Sequence, residues 1–207
     1  YFDNRTLTFE GPENVELIDR FYIASFLPTL INKKKPVIVD IGGGPNPIYS
    51  YIKKATNISC KSIVLDTKKL VNIINRKIPN KYKSEIRYIS SLDKLNLRNI
   101  DILYFNSSIQ YLEDYEKIIV KLFKLNPKYI LISYTPFHNK KKNFYSVQYG
   151  VPGSVHPIIF FSMPKFIRLM QKAKYKDVFL NKYKIKINKR TTSSFNNFYY
   201  GDILFKK

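Results

Sequence analysis

The stretch Val37-Ile-Val-Asp-Ile-Gly-Gly-Gly44 decides the fold of this chain. An apolar run that contains one acid, Asp40, and ends at three glycines predicts a buried strand that stops at a tight turn. Glycine allows backbone angles closed to other residues and lets a ligand approach the main chain closely. Asn46 and Pro47 are predicted to be the N-cap and first residue of the following helix. A strand, a glycine turn and a helix N-terminus together predict a nucleotide-type binding site.

The glycine turn departs from the dinucleotide-binding fingerprint G-x-G-x-x-G, because Pro47 occupies the third glycine position. Asp40 is expected to put a negative charge close to the ligand. A carboxylate there suits a ligand with an amine or a positive charge better than a pyrophosphate. Taken alone, the triple glycine is equally compatible with a purely structural turn.

From Pro36 onward, apolar runs alternate with helical patterns. The predicted strands are Val37–Ile41, Ser62–Asp66, Ile86–Ile89, Ile100–Phe105 and Tyr129–Ser133, and the predicted helices lie near 47–55, 67–76 and 111–124. This alternation predicts an α/β fold with a mostly parallel, Rossmann-like sheet and helices on both faces.

The end of the chain breaks the alternation. A helix near Pro164–Lys174 is followed by two strand-like runs, Asp177–Ile187 and Phe198–Phe205. The connection between these runs is too short for a helical crossover, so they are expected to pair as an antiparallel hairpin. A parallel sheet finished by a reversed strand is the architecture of the class I S-adenosylmethionine-dependent methyltransferases.

The start of the chain carries a helical pattern over Glu13 to about Ile31, with apolar residues at Val15, Ile18, Tyr22 and Phe26. We expect residues 1–35 to form a helical extension that packs on a single domain, residues 36–207. Because the chain begins at Tyr1, the native N-terminus is not identified by the sequence.

Polar residues end two further predicted strands. Asp66 ends the second strand, near the spacing of about 20 residues at which an acid binds ribose hydroxyls in nucleotide-binding sheets. The alternative is that Asp66 caps the next helix.

The fourth strand ends at Asn106-Ser107-Ser108, with Gln110 nearby, beside the point where strand order reverses in open α/β sheets. We expect these four residues to face a cofactor.

Two kinds of methyl acceptor are disfavoured. Asn106-Ser-Ser is not the Asn/Asp-Pro-Pro-Tyr/Phe sequence of enzymes that methylate exocyclic base nitrogens or glutamine amides. Cys60 precedes the second strand, away from the predicted site, which argues against a cysteine adduct at pyrimidine C5. The sequence also contains no metal-binding cluster, so no metal is expected.

The chain has two histidines. Methyl transfer depends mainly on alignment, but a hydroxyl acceptor also needs a base. His138 follows the fifth strand on the predicted ligand edge, and His156 lies in a loop, Gly150–Pro157, that is predicted to be a mobile substrate cover. Each could instead be a solvated loop histidine. Tyr134, Tyr145 and Tyr149 could line an acceptor pocket.

The chain resembles an uncharacterised family of bacterial methyltransferases that is often associated with surface-polysaccharide biosynthesis. The similar stretches are Asp40–Gly44, Ser90–Leu95, Ser107–Asp114, Tyr134–His138 and Val147–Pro152, within about Pro36 to Phe166. The resemblance implies a class I methyltransferase that uses S-adenosylmethionine. It implies that Gly42, Gly43 and Gly44 pass under the methionine part, with Asp40 near its amino group. Ser91 and Leu92 would lie beside the adenine. It also favours a small molecule or glycan precursor, methylated on oxygen, as the acceptor.

The composition leaves other partners open. The chain has 36 Lys+Arg and 15 Asp+Glu, a net charge of +21, which favours a polyanion such as RNA, DNA or an anionic membrane. The charge could also be compositional, because only Lys33–Lys35 and Lys140–Lys142 form clusters. An RNA methyltransferase and a cofactor-binding scaffold without catalysis are the alternatives.

Two features of the sequence concern location. No run reaches the roughly 18 apolar residues of a membrane span. The single cysteine fits a reducing cytoplasm.

Overall fold

The computed structural model describes residues 22–95, 100–149, 154–183 and 197–207. The chain divides into two compact units. The first contains the described residues up to Phe105 together with Leu125–Lys128, and the second contains those of Asn106–Lys124 and Tyr129–Lys207. The glycine turn therefore belongs to the first unit, and both histidines belong to the second.

The first unit is built on parallel strands. Its strands are β1 (Val37–Ile41), β2 (Lys61–Leu65), β3 (Ile86–Ile89) and β4 (Ile102–Asn106), in the order β3-β2-β1-β4. Its helices are α1 (Ile48–Thr56) and α2 (Lys68–Lys77). The middle of β1 is buried among apolar neighbours, as expected for a parallel strand covered on both faces. The α1 helix ends at Asn57, whose left-handed conformation closes its last turn.

The second unit mixes parallel and antiparallel pairs. It contains α3 (Tyr115–Phe123), β5 (Tyr129–His138), β6 (Phe144–Tyr149), β7 (Val155–Ser162), α4 (Met163–Lys172), β8 (Lys176–Tyr183) and β9 (Tyr199–Lys206). The β5 strand lies between β7, which is parallel to it, and β9, which is antiparallel. The β8 strand pairs with β9, and β6 pairs with β7, both antiparallel.

Aromatic rings form the core of the second unit. Phe137, Phe161 and Phe166 pack with ring centroids 5.5 to 5.9 Å apart, and none is more than 1% exposed. Pairs with this geometry contribute about 0.5–1.5 kcal/mol beyond the area that they bury. Ser162 begins α4 as its N-cap by accepting a hydrogen bond from the Lys165 N–H.

The predicted fold class is confirmed: the sheet is mostly parallel, with an antiparallel C-terminal hairpin. The predicted β1 and β3 are exact, and β2 and β4 differ from the prediction by one or two residues at each end. The β5 strand continues beyond Ser133 to His138. The predicted strand at 177–187 corresponds to β8, and its residues after Tyr183 lie outside the described part.

The predicted loop over Gly150–Pro157 is wrong for its last three residues. Val155, His156 and Pro157 belong to β7 and pair with Tyr149, Gln148 and Val147 of β6. The prolines and glycines of this stretch suggested a loop, but Pro157 is accommodated inside a strand. Residues 150–153 lie outside the described part of the chain.

The predicted N-terminal helix is described only at its end. Residues 22–26 are helical and continue as a 3₁₀ turn, Leu27–Leu30. A boundary at residues 35 and 36 stays a prediction. Among the described residues, no helix is long and apolar enough to cross a bilayer.

Candidate functional site

The glycine turn follows β1 directly and needs glycine for two separate reasons. Gly42 and Gly44 have φ angles of 71° and 64°, in the left-handed region that favours glycine. Gly43 faces a steric limit instead, because a Cβ there would lie 2.4 Å from Asp40 Oδ2. A Cβ on Gly44 would meet no atom within 4 Å. The turn therefore has one side closed by Asp40 and one open side.

Asp40 lies beneath the turn and not on its open side. The side chain is buried, and its Oδ2 accepts a hydrogen bond from the Ile48 N–H, 3.2 Å away, at the start of α1. Its Oδ1 is buried and has no hydrogen-bond partner among the described residues. Burial, with a smaller contribution from Asp66, raises the pKa of Asp40 to about 7, although the bond from Ile48 opposes this.

The start of α1 differs from the prediction. Pro47 is the N-cap, without a side-chain hydrogen bond, and the helix begins at Ile48. Asn46 is exposed and precedes the cap. The sequence suggested Asn46 because its amide often caps helices, but here Asp40 accepts the Ile48 N–H from the preceding strand.

Asp66 holds the turn from the next strand. It follows β2, and its Oδ2 accepts a hydrogen bond from the Gly44 N–H at 3.0 Å. Its Oδ1 accepts one from the Thr67 N–H at 2.7 Å. The alternative that Asp66 caps α2 is wrong, because Thr67 is the N-cap and accepts the Leu70 N–H.

Tyr88 of β3 is a third contact that the sequence analysis missed. Its hydroxyl donates to the Gly44 carbonyl, 3.2 Å away, and lies 3.5 Å from the Pro45 carbonyl. Burial raises the pKa of Tyr88, and so does the negative charge of Asp40 and Asp66, so the hydroxyl keeps its proton. An aromatic residue one position before the end of β3 was the available signal. Only the pairing of β3 with β2 brings it to the turn.

Ser91 and Leu92 follow β3, after Ile89 and Ser90. Ser91 is the N-cap of a 3₁₀ turn, Leu92–Lys94, and its Oγ accepts the Asp93 N–H at 3.2 Å. Because β1, β2 and β3 are parallel, the residues that follow them lie at one edge of this unit's sheet. The glycine turn, Asp66 and Ser91 thus share an edge.

The polar residues after β4 form a group of their own in the second unit. Gln110 is 1% exposed, and its Nε2 donates to Ser107 Oγ at 3.0 Å. Its Oε1 and the Oδ1 of Asn106 are buried without hydrogen-bond partners among the described residues. Ser107 has a φ of 49°, and Ser108 precedes a 3₁₀ turn, Ile109–Tyr111. Two unsatisfied buried acceptors are suited to a ligand that donates hydrogen bonds.

His138 does not have the geometry of a general base. It is buried, and its Nδ1 accepts the Lys140 N–H at 3.1 Å. The proton is therefore on Nε2, which lies 3.1 Å from the Phe160 carbonyl and donates to it. Burial lowers the pKa of His138. Both ring nitrogens are therefore used: Nε2 joins the end of β5 to β7, and Nδ1 holds the turn that follows β5.

His156 is exposed and has polar neighbours. It lies opposite Gln148 in the register of β6 and β7. The Tyr111 ring meets His156 edge to face, with centroids 6.5 Å apart, and the Tyr111 hydroxyl donates to Gln148 Oε1 at 2.7 Å. Neither Tyr111 nor Gln148 was singled out by the sequence. Among the described residues, no group of His, Cys, Asp or Glu could hold a metal ion.

The three tyrosines suggested for an acceptor pocket have different surroundings. Tyr134 has a φ of 49°, and its N–H donates to Asp202 Oδ1 at 2.9 Å, where the pairing of β5 with β9 is irregular. Tyr145 and Tyr149 are strongly exposed on β6. The structure therefore does not gather these residues into one pocket.

Comparison with known proteins gives the fold. No family model matches the chain, and neither does any curated protein. An S-adenosylmethionine-dependent methyltransferase from Methanosarcina mazei has a TM-score of 0.60 at 11% identity, covering 90% of this chain and 96% of that one. Magnesium protoporphyrin IX methyltransferase from Synechocystis, with bound S-adenosylhomocysteine, has a TM-score of 0.57 at 10% identity, covering 96% and 90%.

A third neighbour is the N-terminal domain of EvdMO1, crystallised in the presence of S-adenosylhomocysteine and D-fucose. It has a TM-score of 0.55 at 11% identity and covers 94% of this chain and 83% of that one. Structural matches at this identity establish the fold. The chain has the Rossmann-like fold of the S-adenosylmethionine-dependent methyltransferases.

Proposed function

We propose that this protein is a methyltransferase that uses S-adenosylmethionine as its methyl donor. The observation that carries the proposal is the glycine turn after β1, fixed by Asp40, Asp66 and Tyr88, in a chain with the methyltransferase fold. Solved neighbours bind S-adenosylmethionine or S-adenosylhomocysteine, which supports the choice of cofactor.

The residues around the turn fit this cofactor. The open side of Gly44 leaves its main chain accessible, and Asp40 closes only the other side. Each oxygen of Asp66 accepts one backbone hydrogen bond, so each keeps a lone pair for a ribose hydroxyl. The cofactor supplies a methyl group activated on a sulfonium sulfur.

The roles of the site residues follow from these positions. The glycine turn would pass under the methionine part, and Asp40 would act from beneath it by holding the turn and the start of α1. Asp66 would bind the ribose, and Ser91 and Leu92 would lie beside the adenine. Asn46, Asn106, Ser107, Ser108 and Gln110 stay predicted cofactor contacts.

We infer that the acceptor is a hydroxyl group of a small molecule or glycan precursor, with a role in surface-polysaccharide biosynthesis as the most specific form of this inference. His156 is the better candidate for the base, because its side chain is exposed whereas both nitrogens of His138 are used. The sugar present with EvdMO1 supports a carbohydrate acceptor. A cytoplasmic location would fit such precursors.

A screen for release of S-adenosylhomocysteine tests this assignment. Nucleotide sugars and glycan precursors form one arm, and structured RNA forms the other. We expect release with a carbohydrate and little with RNA. Release of S-adenosylhomocysteine with RNA alone, together with RNA binding whose affinity falls steeply with salt, would contradict a carbohydrate acceptor. It would favour an RNA methyltransferase, the alternative suggested by the positive charge.

A further inference from the structure

The hairpin of β6 and β7 has two faces of different character. On one face Ile158 and Phe160 are buried and pack against Phe144 and Phe198. The other face carries an apolar stripe, which we define as Tyr145, Val147, Tyr149, Val155 and Pro157. The register places Val147 opposite Pro157 and Tyr149 opposite Val155, so these side chains adjoin.

The apolar stripe is exposed to an extent that is unusual for such residues. The exposed fractions are 66% for Tyr145, 53% for Val147, 75% for Tyr149 and 54% for Val155. Single exposed apolar residues are common, but contiguous apolar patches usually mark interaction surfaces.

The β6 strand also lacks the usual protection of a sheet edge. Among the described residues it pairs only with β7, and its six residues, Phe144–Tyr149, include no charged residue and no proline. Edge strands are normally guarded by charged side chains, lysine above all. In a chain with 36 Lys+Arg, the absence of charge from this strand is a local feature and not a consequence of composition.

A positive cluster directly precedes β6 in the chain, at the end of the strand where Tyr145 lies. Lys140, Lys141 and Lys142 are exposed and come just before β6, with Asn143 between. Within the described residues, Lys141 and Lys142 form no ion pair. Apolar and tyrosine side chains close to exposed lysines are the composition of surfaces that bind the headgroup region of an anionic bilayer.

We propose that the apolar stripe and the lysine cluster together form a docking surface for an anionic lipid membrane. The lysines are attracted to the anionic headgroups, and the apolar stripe enters the boundary between headgroups and acyl chains. A second copy of the chain fits less well, because two chains of net charge +21 repel each other. RNA would use the lysines and tyrosines, but it gives Val147, Val155 and Pro157 no apolar environment. The proposal does not depend on the methyltransferase activity.

The absence of tryptophan from the chain allows a direct test. Tyr149→Trp places a single fluorescent reporter on the stripe. Phe179→Trp places the same reporter on β8, where Val178, Phe179 and Leu180 are also exposed. Vesicles of phosphatidylcholine alone are compared with vesicles of equimolar phosphatidylcholine and phosphatidylglycerol. Circular dichroism and thermal melting confirm that both variants fold as the parent does.

We expect anionic vesicles to shift the emission of Tyr149→Trp to shorter wavelength, and brominated lipid to quench it. Phe179→Trp should respond to neither. The double variant Tyr145→Ser with Val147→Ser should lower the partition coefficient between anionic vesicles and water about tenfold. The double variant Val178→Ser with Leu180→Ser should leave it unchanged. Lys141→Gln and Lys142→Gln should each weaken binding about fivefold, and the single variants Lys68→Gln and Lys69→Gln on α2 are the charge-matched controls, which should bind like the parent.

Several results would overturn the proposal. One is the absence of binding to anionic vesicles. A second is binding in which both tryptophan reporters respond alike, or only Phe179→Trp responds, because another surface would then be in contact. A third is the same blue shift at Tyr149→Trp without lipid, either as protein concentration rises, which would indicate a second copy, or on addition of polyuridylate, which would indicate RNA.

Discussion

The glycine turn of the first unit and the hairpin of β6 and β7 in the second are held in opposite ways. Three side chains from neighbouring strands fix the turn: Asp40 from beneath, and Asp66 and Tyr88 by hydrogen bonds to Gly44. The hairpin is packed along one face, and its other face, apart from the buried Ile159, is exposed. The first arrangement is suited to a ligand that never changes, such as a cofactor. The second leaves a surface for a partner that varies or is large.

The largest expected effect concerns the buried carboxyl under the turn. The pKa of Asp40 rises from 3.8 to about 7 on folding. Between these values the folded state holds a proton that the unfolded state has lost, so stability is lost as pH rises through this range. The free energy of unfolding of the parent should fall relative to that of Asp40→Asn by on the order of 2–4 kcal/mol between about pH 4 and pH 7. Urea unfolding at a series of pH values measures it. A constant difference would show that Asp40 is ionised throughout.

The next prediction separates the two reasons for glycine in the turn. Gly43→Ala brings a methyl group to 2.4 Å from Asp40 Oδ2, and should destabilise the fold by about 1–3 kcal/mol and weaken cofactor binding. Gly44→Ala meets no atom within 4 Å, so only its φ of 64° opposes it, at about 1–2 kcal/mol. Thermal melting of Gly43→Ala in the Asp40→Ala background is the control. If Gly43→Ala destabilises the Asp40→Ala variant as much as it destabilises the parent, steric contact with Asp40 is not the cause of the destabilisation.

A smaller effect distinguishes the two histidines. Removing His138 takes away one hydrogen bond that joins β5 to β7 and one that holds the turn after β5, so His138→Ala should cost about 1–3 kcal/mol of stability. Because burial lowers the pKa of His138 below 6.5, its contribution is present at neutral pH and lost as pH falls below about 6.5.

His156→Ala should behave in the opposite way. The side chain is exposed, so stability and cofactor affinity should stay nearly unchanged while turnover falls. Measuring the unfolding free energy and the rate of methyl transfer of both histidine variants tests these two predictions. Full turnover by His156→Ala would remove this histidine from catalysis.

The smallest effect belongs to the third contact on the turn. Tyr88→Phe removes the hydrogen bond to the Gly44 carbonyl and keeps the ring, at a cost of about 1 kcal/mol. Tyr149→Phe, at a strongly exposed position of β6, is the control. Denaturant unfolding of the two variants measures these losses from the shift of the midpoint, provided that the slope of the unfolding free energy against denaturant concentration is the same as in the parent. Equal losses in the two variants would show that Tyr88 does not hold the turn.

The same two regions show what the sequence could predict. The strands of the first unit were predictable because each buried apolar run ends in polar or glycine residues. Asp66 was placed correctly after β2, but its bond to Gly44 depends on how strands pair, as does the contact of Tyr88. The hairpin escaped prediction because the alternation in β6 is inverted. Tyr145, Val147 and Tyr149 face solvent, whereas Ser146 and Gln148 share the packed face with Phe144.

Isothermal titration calorimetry with S-adenosylmethionine, S-adenosylhomocysteine and NAD tests the central claim most directly. We predict that both sulfur ligands bind the parent protein and that NAD does not. Asp66→Ala should weaken the binding of both by about 1.5–3 kcal/mol, the usual effect of losing hydrogen bonds to a charged group. Asp114→Ala, which removes an exposed acid of the second unit, should bind like the parent. Binding of NAD without any response to either sulfur ligand would contradict the account.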